Sequence, residues 1–134
     1  MNAFSAMRMS SLCVPLLERC EQSCIINVTS IAIRHGAPTA TIYGAAKGAL
    51  DTFTRGMAKE LAPAIRVNAV APGVIETPFH ERVTTPEKMA QFSAAAPLQR
   101  NGRAEEIATA IAFLIDNLFM TGATIDVNGG MFMC

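Results

Sequence analysis

The chain shows no surplus of either charge. Eleven lysines and arginines balance eleven aspartates and glutamates, and charged residues make up only 16% of its 134 positions. That balance gives no electrostatic case for nucleic acid or an anionic membrane surface as a partner. Long apolar runs are missing as well. The longest, "IATAIAFLI" at 107–115, is far below the ~18 residues that a membrane span requires. At the start, "MNAFSAMRMSSLCVPLL" is interrupted by Ser5, Arg8, Ser10 and Ser11 and lacks a clean cleavage site, so it does not read as a secretory signal. The four cysteines, Cys13, Cys20, Cys24 and Cys134, form no C-x-x-C pair, and His35 and His80 stand at no metal-ligand spacing from them. The expectation is buried free thiols in a reducing cytoplasm, with no metal site.

What the chain does have is apolar residues, at 51%. The length suits one small domain with a core, and the apolar share suggests surfaces meant to be covered by a partner or by further chain. Residues 3–19 read as a helix, with Phe4, Met7, Leu12, Leu16 and Leu17 mostly on one side and Pro15 as a possible kink or early end. "CIINV" at 24–28 has the run of a buried parallel strand, followed by a loop around Gly36 and Pro38. The clearest helix covers 42–62, where Ala46, Ala49, Leu50, Phe53, Met57, Ala58 and Leu61 form a stripe that Pro63 ends. "IRVNAV" at 65–70 predicts the next strand. Thr85 and Pro86 cap a short helix over 86–93, Glu105 and Glu106 open another over 104–115, and "ATIDVN" at 123–128 predicts the last strand. Long helical connections between short apolar strands imply parallel pairing, hence an α/β fold resembling half of a doubly wound sheet.

The only tyrosine, Tyr43, precedes Lys47 by four residues. On a helix that is a rotation of about 400° and a rise of about 6 Å, which leaves the two side chains on one face. An ammonium beside a phenol favours the phenolate, so the pair suits a general acid for reducing a carbonyl or a base for oxidising an alcohol. The spacing is weak evidence by itself. Its neighbours strengthen it: Ser30 follows one predicted strand, Thr77 follows the next, and ligands of open α/β sheets bind at the carboxyl ends of strands. A hydroxyl, a phenol and an ammonium together are what a carbonyl oxygen gaining negative charge requires. Elsewhere, Gly44-x-x-x-Gly48 lies within a helix and reads as close packing rather than a phosphate loop. His35 and His80 read as solvated loop residues, and Phe79 is the better candidate for a pocket wall. The methionines Met7, Met9, Met57 and Met89 read as core or interface filler.

"INVTS", Tyr43-x-x-x-Lys47, "RVNAVAPGVIET" and the closing "TGATIDVNGG" together resemble the carboxyl-terminal half of a short-chain dehydrogenase/reductase, among whose members are 3-oxoacyl-carrier-protein reductases and sugar or polyol dehydrogenases. The resemblance implies a Rossmann-like fold and NAD or NADP as cofactor. It implies Tyr43 as acid/base, Ser30 as the group that polarises the substrate oxygen, and Lys47 as the group that promotes the phenolate and meets the nicotinamide ribose. Asn2 matches the asparagine that holds a proton-relay water, and Pro72, Gly73, Ile75 and Thr77 match the segment along the nicotinamide. A nucleotide-free subgroup that opens or forms epoxides carries arginine where Lys47 stands, which argues against that chemistry. The family's opening strand, glycine-rich turn and helix have no counterpart here, so residues 1–134 read as one partial domain without the dinucleotide-binding half, and the choice between NAD and NADP is not encoded. Between "AFL" and "TG" the chain is two residues shorter than the usual pattern, which bears on how the last helix ends. The resemblance further implies a small carbonyl or alcohol substrate and a homo-oligomer formed through the helices at 3–19 and 42–62. The alternative is a truncated, non-catalytic member that acts only through such contacts.

Overall fold

The computed structural model describes residues 3–133, so Asn2 and Cys134 lie outside the described residues. The elements run α1 (Phe4–Leu17), β1 (Ser23–Val28), α2 (Ala32–His35), α3 (Thr41–Leu61), β2 (Ile65–Pro72) and β3 (Ile75–Glu76). They continue with α4 (Pro78–Val83), α5 (Pro86–Ala95), β4 (Gly102–Arg103), α6 (Ala104–Asp116) and β5 (Thr124–Val127). Three strands form a parallel sheet in the order β1-β2-β5, with Ser23 opposite Ile65 and Ala69 opposite Thr124. The two-residue strands β3 and β4 pair separately, also in parallel.

Alternation along β2 builds both halves of the core. Ile65 and Val67 point to one side and pack with Met57 and Ala58 of α3, joined by Val14 and Leu17 of α1. Val70 points to the other side and packs with Ile107 and Leu114 of α6. The result is helices on both faces of a parallel sheet, the doubly wound arrangement expected. Leu50, Ile65, Val67, Val70 and Leu114 are almost wholly excluded from water. Each such side chain contributes about 1.5–3 kcal/mol.

Polar groups inside this core are all paired among the described residues. Asn27 Nδ2 donates to Thr54 Oγ1 at 2.9 Å, and Thr54 Oγ1 donates to the Leu50 carbonyl at 2.9 Å. Asp51 accepts from Thr124 Oγ1 at 2.7 Å and forms an ion pair with Arg55. Asn68 donates to the Met120 carbonyl and accepts the Ala123 N–H. Arg66, on the same side of β2, donates to the carbonyls of Leu114, Ile115 and Asn117. Its guanidinium therefore satisfies carbonyls that the end of α6 leaves without helical partners, and so closes the shortened segment.

The structure corrects several expectations. Most of the apolar side predicted for α1 faces outward, with Phe4 82% exposed, Leu12 63% and Leu16 62%, while Leu17 packs on the core. The core is met by Leu17, which belongs to the expected side, and by Val14, which does not, and Ser10 is buried as well. Pro15 stays inside the helix, which ends two residues later. The loop around Gly36 begins with the single turn α2, and the stretch after Pro72 holds β3 and α4, so His35 and His80 are helical. Gly44 does pack closely, since a Cβ there would lie 3.4 Å from the Ala37 Cβ, but Gly48 faces open space. The thiols of Cys13, Cys20 and Cys24 are free, yet none is fully buried, and Cys20 is exposed.

Candidate active site

The carboxyl end of β1 is tied to that of β2 by the Thr29 N–H donating to the Val70 carbonyl at 2.8 Å and the Ile31 N–H donating to the Pro72 carbonyl at 2.9 Å. Ser30 sits between these two anchors and is only 9% exposed. Its Oγ accepts the Ala32 N–H at 3.2 Å in the turn that opens α2. The bond occupies a lone pair and leaves the hydroxyl proton available for a second partner.

Tyr43 lies in the first turn of α3, and Lys47 one turn further on. The Lys47 Nζ stands 5.9 Å from the centroid of the Tyr43 ring, within cation–π range. It donates to the Val28 carbonyl at 2.7 Å, a bond that straps α3 to the end of β1 two residues before Ser30. Partial burial pushes the Lys47 ammonium below its ordinary pKa of 10.5. Among the described residues the Tyr43 hydroxyl has no hydrogen-bond partner, and the side chain is 39% exposed. Lys47 thus reaches the end of β1 with the Tyr43 ring within 5.9 Å of its ammonium, and Ser30 follows Val28 by two residues. The Val28 carbonyl that positions the lysine is a backbone group, which no residue identity announces.

The segment after β2 divides. The Pro72 carbonyl is taken by Ile31, and the Gly73 N–H donates to the Val127 carbonyl at 2.9 Å. A Cβ on Gly73 would sit 2.8 Å from the Cα of Asn128, so glycine is required here by backbone packing against the end of β5. Ile75 packs beside the Val70, Ile107 and Leu114 cluster. Thr77 is the extended N-cap of α4, its side chain makes no capping bond, and it lines a cleft of about 520 Å³. That cleft does not include Ser30, Tyr43 or Lys47.

The residues next to Thr77 exchange the parts expected of them. Phe79, expected to wall a pocket, is 65% exposed and contributes nothing to this cleft. His80, expected to be solvated, is half-buried and lines it, with its Nδ1 3.0 Å from Thr84 Oγ1. The sequence holds a signal for this: Pro78 after an extended Thr77 starts a helix, and Thr84 stands four residues beyond His80.

A family model described as enoyl-(acyl carrier protein) reductase matches residues 1–132. The chain is 43% identical to the uncharacterised oxidoreductase YhdF of Bacillus subtilis over 98% of its own length and 46% of that protein's. It is 39% identical to the 3-oxoacyl-(acyl-carrier-protein) reductase FabG of Pseudomonas aeruginosa, covering 98% of this chain and 54% of the reductase. Among solved structures, a short-chain dehydrogenase/reductase of Brucella melitensis titled as a glucose/ribitol dehydrogenase superposes with a TM-score of 0.80. It is 44% identical, over 85% of this chain and 47% of that one. The chain spans about half the length of the curated relatives it matches.

Proposed function

Because this chain belongs to the short-chain dehydrogenase/reductase family, we propose that it forms the catalytic part of an oxidoreductase that passes a hydride between NAD or NADP and a carbonyl or alcohol substrate. The observation that carries this reading is the Lys47 ammonium held 5.9 Å from the Tyr43 ring on the carbonyl of Val28, two residues before Ser30 in the chain.

The residues present fit the nicotinamide end of such a cofactor. Lys47 spends one N–H on Val28 and keeps two, and among the described residues the hydroxyls of Tyr43 and Thr77 are unpartnered. These groups suit ribose hydroxyls and a carboxamide, with Pro72, Gly73 and Ile75 supplying neighbouring backbone and apolar surface. The bound dinucleotide supplies the hydride chemistry. In the reducing direction the substrate oxygen gains negative charge, Ser30 donates its free hydroxyl proton in a hydrogen bond to that oxygen, and Tyr43 transfers the phenolic proton. Lys47 stabilises the phenolate left behind, and the same groups run in reverse for oxidation. Asn2, outside the described residues, is assigned the relay water.

Both a 3-oxoacyl thioester and a sugar or polyol agree with the names of relatives. The reading includes a cytoplasmic protein that self-associates through α1 and α3. Its test is Tyr43→Phe in the enzyme as its own cell makes it, assayed for dinucleotide-coupled turnover. The expected loss is about 100-fold or more, with an unchanged circular dichroism spectrum. Unchanged turnover would sink the assignment of Tyr43.

A further inference from the structure

We propose that Arg34 and Asp126 are positioning residues for Ser30: their ion pair fixes the single-turn helix α2, and α2 in turn sets the Ser30 hydroxyl. The effect on turnover rests on the oxidoreductase reading. The mechanical link from Asp126 to Ser30 stands on the fold alone.

Helix α2 has four residues, and one turn of that length does not hold itself in water. Two fastenings fix it from outside. At its start, the Ile31 N–H donates to the Pro72 carbonyl at 2.9 Å. Near its end, Arg34 reaches Asp126 of β5, with Nε 3.3 Å from Oδ1 and Nη2 3.2 Å from Oδ2. Ile125 and Val127 pack with Val70 on the α6 side of the sheet, so by strand alternation Asp126 stands on the opposite side. Its register partner on β2 is Ala71, which puts only a methyl group beside it. The ion pair therefore ties the segment after β1 to β5 across β2. A two-pronged guanidinium contact fixes direction as well as distance, which the point charge of a lysine does not.

Ser30 feels this tie through one bond. Its Oγ accepts the Ala32 N–H at 3.2 Å, the long end of the normal range, so a shift of α2 by about half an ångström breaks it. With the bond in place, one lone pair of the hydroxyl is occupied and the rotamer is held. Without it, the hydroxyl is free to turn to other staggered positions. The rest of the sheet does not depend on the ion pair. β5 is held to β2 by its ladder and to α3 by Thr124 donating to Asp51. Helix α3 also closes on α2 at Gly44, where a Cβ would stand 3.9 Å from the Ala32 carbonyl oxygen. Loss of the ion pair therefore loosens α2 without unfolding the domain.

The test begins with amide hydrogen exchange of the isotope-labelled chain, comparing wild type with Arg34→Ala and Asp126→Ala. The Ala32 N–H is expected to exchange about tenfold faster in either variant, while the Thr29 N–H, bonded to Val70, keeps its rate. Where alanine unfolds the chain, Arg34→Lys, which keeps the charge and loses the fork, is expected to give the same acceleration. Dinucleotide-coupled turnover of the enzyme as its own cell makes it is then measured for Asp126→Ala, Ser30→Ala and the double variant. Asp126→Ala is expected to lower kcat about tenfold with the KM for dinucleotide unchanged, and to cost nothing further once Ser30 is alanine. A merely structural residue would cost the same in both backgrounds. Three outcomes overturn the proposal: an unchanged Ala32 exchange rate, an unchanged kcat in Asp126→Ala, or equal losses with and without Ser30. A wild type that fails to turn over would sink the oxidoreductase reading instead, and the exchange rates would still decide the link.

Discussion

Lys47 does two things with one ammonium group: it straps α3 to the sheet through Val28 and faces the Tyr43 ring. Burial holds its pKa below 10.5, so the folded chain binds this proton less tightly than the unfolded chain does. Below the folded-state value both forms are protonated, and the native state bears the full cost of burying the charge. As pH climbs from there toward 10.5, only the unfolded chain keeps the proton and the cost is relieved. The thermal midpoint of the wild-type chain should therefore rise relative to Lys47→Met across that interval. A constant difference between the two would contradict the account. The Tyr43–Lys47 pairing was legible because helical spacing is written in residue types. Its anchor was not, since the Val28 oxygen belongs to the main chain. Gly73 was legible as a turn, while its close contact with Asn128 depends on where β5 ends in space.

Among the elements, β2 shows best how one strand organises its neighbours. Its Arg66 bonds the end of α6, its Asn68 bonds the loop that follows α6, and its Val70 packs on α6 by apolar contact. Asn68→Ala would leave the Ala123 N–H without its partner and the Met120 carbonyl with Arg66 Nη1 alone at 3.3 Å, so denaturant unfolding should show a loss of about 1–3 kcal/mol. A loss below ~0.5 kcal/mol would mean that this loop repacks. Long elements were readable to within a residue or two, because 21 residues of α3 sample the helical period many times. The turns α2 and α4 and the two-residue pair β3–β4 hold too few residues for any period to register. Helix α1 misled for a different reason. It carries apolar residues on both sides, and Val14 and Leu17 rather than Phe4, Leu12 and Leu16 meet the core.

For the whole molecule, the exposed side of α1 is the outstanding surface: Phe4, Met9, Leu12 and Leu16 are each more than 60% exposed. β1 beside it is an outer strand of the sheet formed by the described residues. Apolar surface of this kind, on a chain without net charge, favours association. Sedimentation velocity at rising concentration should show reversible self-association of the wild type, and Leu12→Glu with Leu16→Glu should abolish it while preserving the helical spectrum. A wild-type chain that stays monomeric throughout would remove the basis for assembly through α1. That these residues are apolar could be read directly. Which side they occupy depended on the competition between two faces of one helix.

The strap from Lys47 also engages the outer side of β1. The Thr29 N–H points toward β2, so by strand alternation the Val28 carbonyl points outward, among the backbone groups of β1 open to another strand. With the Lys47 ammonium seated on it, that oxygen is already taken at the end of β1 nearest Ser30. Any strand that zips along β1 to its last residue must compete with the ammonium for that oxygen. Strand pairing along β1 and the position of the Lys47 ammonium are thereby one linked equilibrium.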